Sequence, residues 1–359
     1  MKTHELRTPN FLLDLDVLEE NIAHMGELCR RNSVQLWPMI KTHKSIAIAK
    51  MQRAAGAQGF LVGTVDEAVG LVEAGFDNIM LAYPVMGAAN IARVVQLAKK
   101  TRIIASLDGA DAAAALNDAL SQAGMTMEYL LIIDSGLHRL GVEPTDAVKM
   151  MQALSRYRQL IFKGIGTHPG HVYGATNSEQ VQLIAAQETQ SMAEAARLLD
   201  SAGYKAEIIA VGSTPTATAA AQSGLINVLR PGNYVFYDAI QTALDVVPAK
   251  RCALSVMATV IANPRPNSYI IDAGSKCLGL DKGAHGNALL TGYGIIKGYP
   301  NAVVESLSEE VGKIKTPPDT PLQVGQVVEI IPNHACAAAY MTDRFITHRQ
   351  GMVQGEIRK

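Results

Sequence analysis

The sequence predicts an α/β fold: a (β/α)8 barrel of the TIM type, followed by a C-terminal β domain. Three observations support this prediction. Apolar runs alternate with helical patterns through the first 240 residues, and eight of these runs have the length of strands. The runs are apolar without interruption, as expected for parallel strands that are covered on both faces. Beyond residue 240 the helical periodicity weakens and short alternating runs take its place.

The boundary between the two domains follows from this change in pattern. We assign residues 1–240 to the barrel and residues 241–359 to the β domain, and expect the chain up to about residue 15 to pack on the β domain. A doubly wound open sheet is the competing layout. It would place a glycine-rich turn after the first parallel strand, where this chain has Lys41-Thr42-His43-Lys44 instead.

The predicted elements follow the chain in order. Residues 11–15 predict a short strand, and Asp16 predicts the cap of a helix that ends near Arg31. The proline-rich segment 313–321 predicts an exposed loop. The barrel strands are predicted at 36–41, 59–65, 78–84, 102–107, 129–134, 162–168, 206–212 and 225–230, with helices between most of them, for example at 65–73, 90–99 and 182–202. Strands of the β domain are predicted at 253–262, 269–273, 327–331 and 352–357.

Charge and composition exclude several classes of protein. A net charge of −1 over 359 residues gives no basic surface for nucleic acid. No apolar run is long enough to span a membrane, and the N-terminus lacks the apolar core of a signal peptide. The four cysteines are scattered without a CxxC pair, which argues against a disulfide framework or a zinc ribbon. We expect a cytoplasmic protein with reduced thiols.

Lys41 is the residue around which a functional prediction can be built. It stands at the end of the first barrel strand, and barrel enzymes carry their sites at the carboxyl ends of the strands. A lysine at the end of a buried strand is unfavourable unless it is paired or used, and its amine can form a Schiff base. Spacing alone would more often mean a surface lysine just beyond a strand.

The loops after the seventh and eighth strands, residues 212–216 and 230–234, have the features that a phosphate group requires. Small residues allow close approach of the backbone, and hydroxyl and N–H groups can donate hydrogen bonds. Each loop taken alone is more often an ordinary turn, and neither a Walker pattern nor GxGxxG is present. A lysine that faces a phosphate-binding rim is the arrangement that pyridoxal 5'-phosphate requires.

With these motifs the sequence resembles the D-threonine aldolase and D-serine dehydratase family of fold-type III pyridoxal phosphate enzymes, which are relatives of alanine racemase. The resemblance extends over nearly the whole chain. The segments that carry it are Lys41-Thr42-His43-Lys44, Asp134 with Gly136 and Arg139, residues 168–173, Gly212-Ser213-Thr214, and residues 230–234, 272–276 and 332–336.

The resemblance implies roles for particular side chains. Lys41 would carry the cofactor through its amine, Arg139 would lie beside the cofactor, and Tyr173 would contact its pyridine ring. His43 and His171 are candidate catalytic bases, although each is as easily a hydrogen-bonding neighbour. The phosphate would be held by Ser213, Thr214, Gly232, Asn233 and Tyr234.

His334 and Cys336 form a candidate metal site. We predict a strand here, in which residues two apart project from the same face. Imidazole and thiolate suit zinc, and a site with two protein ligands leaves positions open for water or substrate. From the residues alone, a buried cysteine and a hydrogen-bonded histidine fit equally well. The family uses the matching pair as metal ligands, so the resemblance implies a divalent metal such as zinc, manganese or magnesium.

The resemblance therefore implies a metal-dependent lyase that acts on D-β-hydroxy-α-amino acids. Aldol cleavage would give glycine and an aldehyde, whereas dehydration would give a keto acid and ammonia. An amino-acid racemase is the alternative; a non-catalytic pyridoxal phosphate carrier and a cofactor-free barrel are further classes. The resemblance also implies a homodimer.

One segment departs from the family pattern. Ahead of the lysine the family commonly has Arg-Pro-His, whereas this chain has Trp37-Pro38-Met39. The departure removes a guanidinium and an imidazole from the neighbourhood of the cofactor but leaves Lys41 in place.

Overall fold

A computed structural model describes residues 1–283 and 286–359 of the protein. The chain forms two compact units. The barrel unit comprises Met25–Val172 and Val181–Gly232, and the β unit comprises Met1–His24, Tyr173–Gln180 and Asn233–Lys359. The strands are β1 (Asn10–Asp14), β2 (Gln35–Leu36), β3 (Phe60–Val62), β4 (Ile79–Leu81), β5 (Ile103–Leu107), β6 (Met127–Ile132), β7 (Leu160–Gly166), β8 (Ile208–Val211), β9 (Val228–Leu229), β10 (Leu254–Arg265), β11 (Ser268–Ile271), β12 (Ile295–Ile296), β13 (Val303–Leu307), β14 (Gly312–Lys315), β15 (Val327–Ile331), β16 (Arg344–Arg349) and β17 (Met352–Arg358). The α-helices are α1 (Leu15–Arg31), α2 (Ile46–Ala54), α3 (Val65–Glu73), α4 (Ala88–Ala98), α5 (Ala110–Gln122), α6 (Ala147–Leu154), α7 (Ser178–Ser201), α8 (Ala217–Gln222), α9 (Ala239–Ala243), α10 (Ser275–Leu278) and α11 (Ala335–Tyr340).

The barrel unit contains the eight parallel strands that the sequence predicts. They are hydrogen-bonded in the order β2-β9-β8-β7-β6-β5-β4-β3, and each overlaps one predicted run. Isolated parallel bridges from Leu36 to Ala57 and from Met39 to Leu61 join the two ends of this order. The fold class predicted from the alternation of apolar runs and helices is therefore confirmed.

The interior of the barrel is filled by one or two apolar side chains from most of the strands or the segments just after them. Trp37 and Met39 belong to this layer and are 2% and 8% exposed. The Trp37 indole N–H donates to the Gln35 side-chain oxygen at 3.0 Å, so the polar atom of this buried side chain has a partner. The departure at Trp37-Pro38-Met39 thus places apolar residues in the barrel core. The other members of the layer are Leu61, Met80, Ile104, Leu130, Ala210 and Val228.

Helix α1 begins two residues earlier than predicted and has a different cap. The Asp14 carboxylate accepts from the N–H groups of Asp16 and Val17 at 3.0 and 3.2 Å. Asp14 is therefore the capping residue, and the prediction that Asp16 caps the helix is wrong, because Asp16 already lies in the first turn. No helix in the two described segments combines the length and apolar character needed to cross a bilayer.

The β unit is built on a mainly antiparallel sheet. Its strands run in the order β13-β14-β11-β10-β1-β16-β17, and β15 pairs with both β10 and β12. Strand β1 is antiparallel to β10 and parallel to β16, so the N-terminal strand is an inner strand of this sheet. Strand β14 pairs with β11 and β13, so the segment 313–321 is not all loop as predicted; its first residues are paired in the sheet.

Gly164 in β7 illustrates how closely the barrel strands pack. Its φ of +154° lies in a region that side chains with a Cβ rarely adopt, and a Cβ at this position would collide with the carbonyl group of Ile208 in β8. The backbone of β7 and β8 can approach in this way only with glycine, and both strands lead into loops at the rim.

Substitution of Gly164 by alanine should lower the free energy of unfolding by about 3 kcal/mol or more, because the new methyl group meets backbone and the residue is held at positive φ. Gly70→Ala in α3 is the matched control. It meets no atom within 4 Å, so it should be neutral or stabilise by up to about 1 kcal/mol. Urea unfolding of both variants measures the difference; equal stabilities would contradict this account of the β7–β8 contact.

Candidate active site

Lys41 lies at the C-terminal rim of the barrel, as the sequence predicts. It is the middle residue of a short 3-10 turn, Ile40–Thr42, that follows β2. Ile40 and Thr42 are buried, each with 2% of its surface exposed, whereas Lys41 is exposed. The turn therefore anchors the backbone on both sides of the lysine and leaves its amine accessible.

Gly232, in the loop after β9, packs directly against the segment that carries Lys41. A Cβ at Gly232 would lie 3.0 Å from the Met39 carbonyl oxygen and 3.1 Å from the Thr42 hydroxyl oxygen. The absence of a side chain is what permits this approach. The first and the eighth barrel strands thus bring the lysine turn and the predicted phosphate loop together.

His168, at the end of β7, is a neutral imidazole in a cationic setting. Its Nδ1 lies 3.2 Å from the Gly212 carbonyl oxygen, to which it donates when protonated. Burial, followed by the positive charges of Lys41, Arg139 and Arg230, lowers the pKa of His168 to about 3. Three cations therefore act on one point of the rim, and the imidazole between them stays uncharged at neutral pH.

Arg230 ties the ends of three strands together from inside the barrel. Its guanidinium donates to the Thr167 and Ala210 carbonyl oxygens at 2.6 and 3.1 Å. Glu188 of α7 is buried nearby and accepts from the Gly212 N–H at 3.2 Å. Burial raises the pKa of Glu188 from its ordinary 4.5 to about 7, against the opposing effects of its hydrogen bonds and of Arg230.

The loop after β6 is organised by Asp134. Its carboxylate accepts from the N–H groups of Gly136 and His138 at 2.8 and 3.1 Å. These bonds shape the turn that leads to Arg139, which is exposed and acts on His168. The predicted combination of Asp134, Gly136 and Arg139 is therefore one local unit at the rim.

The two histidines predicted as bases have different surroundings. His43 is fully buried; Ser45 donates its N–H to His43 Nδ1 at 3.0 Å, and Gln52 bonds the same ring. Burial lowers the pKa of His43 to about 4. This geometry favours a structural role for His43 and argues against the predicted proton transfer. His171 is half-buried and packs against Gly136 of the Asp134 loop, beside the rim.

Asn233 and Tyr234 begin the longest segment of the β unit. Tyr234 is fully buried, and the Asn233 amide donates to Asp238 at 2.7 Å. The same Asp238 oxygen accepts from the Ala335 N–H at 2.8 Å. A buried carboxylate therefore connects the predicted phosphate-binding residue Asn233 to the predicted metal pair. Tyr173, the predicted ring contact, also lies in this unit, where its carbonyl oxygen accepts from the Asn287 amide at 2.9 Å.

His334 and Cys336 do meet, but not on a strand. Strand β15 ends at Ile331; His334 is the residue before α11 and Cys336 lies in its first turn, so the predicted strand is wrong here. The His334 Nδ1 is 2.6 Å from an Asp281 carboxylate oxygen. Burial opposes the imidazolium, but hydrogen bonds to Asp281 and Cys336 outweigh it and raise the pKa of His334 to about 11.

Sequence reasoning did not select His168, Glu188, Asp238 and Asp281 as site residues. His168 was within a recognised motif, and its position at a strand end is a usable signal. Glu188 and Asp281 carry no local signal, because each meets its partner from a distant part of the chain. Asp238 bonds both to nearby Asn233 and to Ala335 far along the chain, and only the second contact lies beyond a local pattern.

The residues present fit pyridoxal phosphate. The cofactor is a phosphate ester and suits a rim where the positive charges of Lys41, Arg139 and Arg230 all act on His168. Among the residues that the structure describes, the buried Ser213 hydroxyl has no hydrogen-bond partner, which leaves it available to an anion. His334 with Cys336 is likewise a donor set that suits zinc.

The fold and the rim define a barrel enzyme of the class that binds a phosphorylated, anionic cofactor. Residues 13–239 match the family described as alanine racemase, N-terminal domain, and residues 253–348 match the putative serine dehydratase domain. The chain therefore belongs to the alanine racemase-like family of pyridoxal phosphate enzymes, and the resemblance predicted from its motifs is confirmed.

Similar proteins cover nearly the whole chain. D-threo-3-hydroxyaspartate dehydratase of Delftia sp. (strain HT23) is 32% identical, over 92% of this chain and 91% of the relative. D-threonine aldolase of Arthrobacter sp is 30% identical, over 97% and 90%. A solved structure of a D-threo-3-hydroxyaspartate dehydratase, a cysteine-to-alanine variant in the metal-free form, superimposes with a TM-score of 0.91 at 31% identity, covering 100% of this chain and 99% of that one.

Glu188 should make stability depend on pH. Its folded pKa of about 7 lies above the ordinary 4.5, so the neutral carboxyl contributes stability that is full below about pH 4.5 and is lost as the pH rises to 7. We expect the free energy of unfolding of Glu188→Gln to rise relative to that of the parent protein by about 1–3 kcal/mol as the pH is raised from about 5 to about 8. Urea unfolding at both pH values measures this change. Glu179→Gln, an exposed position on the same helix, is the control, and an equal pH response of both variants would contradict the assignment.

Proposed function

We propose that this protein is a lyase that uses pyridoxal phosphate and a divalent metal to act on D-β-hydroxy-α-amino acids. The observation that carries the proposal is the rim of the barrel unit. There the turn that carries the accessible Lys41 packs against Gly232, and the charges of Lys41, Arg139 and Arg230 all act on a neutral His168. The names of the similar proteins, a dehydratase and an aldolase of such substrates, support the same reaction class.

The cofactor would be held by the residues that the sequence selects. Lys41 provides the amine for the aldehyde, and Arg139 lies on the same rim. When bound, the pyridine ring supplies an electron sink for charge that develops at the substrate α-carbon. The remaining proposed contacts are Tyr173 at the ring and Ser213, Thr214, Gly232, Asn233 and Tyr234 at the phosphate.

The metal would be held by His334 and Cys336. Thiolate and imidazole together favour zinc over manganese or magnesium, which prefer oxygen ligands. When bound, such an ion supplies Lewis acidity to a substrate hydroxyl. The metal-free structure of the related dehydratase carries a cysteine-to-alanine substitution, which supports a metal role for a cysteine in that relative.

The two candidate reactions differ in the proton that the protein must move. Aldol cleavage requires removal of the β-hydroxyl proton and gives glycine and an aldehyde. Dehydration requires removal of the α-proton and loss of the hydroxyl group, and gives a keto acid and ammonia. Lys41 and His171 are the side chains that we propose for these transfers. We further propose a homodimer, on the strength of the family resemblance alone; the mass of the purified protein in solution tests the dimer. The scattered cysteines support a cytoplasmic location, which we also propose.

Lys41→Ala should abolish the visible absorption of protein-bound pyridoxal phosphate and reduce activity by several orders of magnitude, because the covalent attachment is lost. The spectrum of the purified protein with added cofactor measures the first effect. Lys50→Ala, at an exposed position in α2, is the control and should keep the parent spectrum. A parent protein without such a band would refute the cofactor assignment.

Removal of the metal with EDTA, or His334→Ala, should abolish turnover of D-serine and D-threonine while bound cofactor remains visible in the spectrum. Pyruvate from D-serine indicates dehydration, and glycine from D-threonine indicates aldol cleavage. Chelator-insensitive activity that interconverts D- and L-isomers would instead establish the alternative, an amino-acid racemase.

A further inference from the structure

Asp281 stands out among the acidic residues of the β unit because it contacts the proposed metal ligand His334. One of its oxygens lies 2.6 Å from His334 Nδ1, a distance typical of a charge-assisted hydrogen bond. Imidazole binds a metal through only one of its nitrogens, and the bond made by the other nitrogen decides which one remains available.

We propose that Asp281 is a positioning residue that fixes the His334 ring so that Nε2 is presented to the metal. This inference rests on the proposed function, since it presumes that His334 binds an ion. Asp281 accepts the hydrogen of Nδ1, which sets the tautomer of the ring and its rotation about the Cβ–Cγ bond.

The surroundings of Asp281 hold it in place for this task. The Asn333 amide donates to the Asp281 carbonyl oxygen at 3.3 Å and to the Gly292 carbonyl oxygen at 2.9 Å. The residue that precedes His334 is thereby tied to the backbone of its orienting carboxylate. On the other side, the Ala335 N–H donates to Asp238 and fixes the backbone after His334. Because the backbone is held on both sides of His334, the motion that Asp281 restricts is rotation of the His334 ring about its Cβ–Cγ bond.

Asp281 is better suited to orient the ring than to bind the ion itself. The two nitrogens of an imidazole point in divergent directions, so a carboxylate bonded to Nδ1 faces away from an ion on Nε2. Within the described parts of the chain, Asp281, His334 and Cys336 do not form a group whose ligand atoms all lie within 4.8 Å of one another. The ion would therefore keep two protein ligands and open positions.

The test is the affinity of the cofactor-loaded protein for zinc, measured by competition with a chelating dye. Asp281→Ala should weaken zinc binding by about 10–100-fold, the usual effect of removing such a partner. Asp281→Asn keeps the volume and one acceptor oxygen, so it should have a smaller effect and guards against a folding defect. Asp319→Asn, an exposed carboxylate in another loop, should bind zinc as the parent does.

A double-mutant cycle separates orientation from a general structural effect. In the His334→Ala background, Asp281→Ala should change zinc affinity no further, because the ring that it orients is gone. An equal loss in both backgrounds, or an Asp281→Ala protein with parent affinity, would overturn the proposal while leaving the metal site intact. A parent protein whose zinc affinity equals that of His334→Ala would instead remove the metal from the proposed function, and this inference with it.

Discussion

The buried guanidinium of Arg230 is the interaction on which the rim of the barrel depends. A charge inside a barrel is strongly unfavourable unless hydrogen bonds and an opposite charge surround it. Here the carbonyl oxygens of Thr167 and Ala210 accept from it, and Glu188 lies close enough to influence its charge. These partners belong to the ends of β7 and β8 and to α7. The hydrogen bonds of this one guanidinium therefore fix the places where the loops with His168, Gly212 and Gly232 leave the sheet.

The sequence was informative wherever a property repeats along the chain. Parallel strands that are covered on both faces must be apolar throughout, and this made all eight strands and the position of Lys41 predictable. The partners of those positions were not predictable. Glu188 meets Gly212 from 24 residues away, and Asp281 meets His334 across 53 residues. Such contacts depend on how the helices and loops are arranged in space, which no local pattern records.

Two histidines show why residue type alone could not assign roles. His43 and His168 both follow barrel strands and both stay neutral through burial. His43 accepts from the Ser45 N–H and bonds to Gln52, both close to it in the chain, so its ring supports the segment that follows Lys41. His168 instead lies among cations contributed by three different loops. Only the three-dimensional arrangement separates a residue that supports the turn from one that faces the site.

The same pKa values restrict the acid–base chemistry that the barrel unit can perform. A base is effective when its pKa is near the working pH. The imidazole of His168, with a pKa of about 3, holds a proton too weakly to serve, and His43 is enclosed in the core. The proposed proton transfers therefore fall to Lys41 and His171.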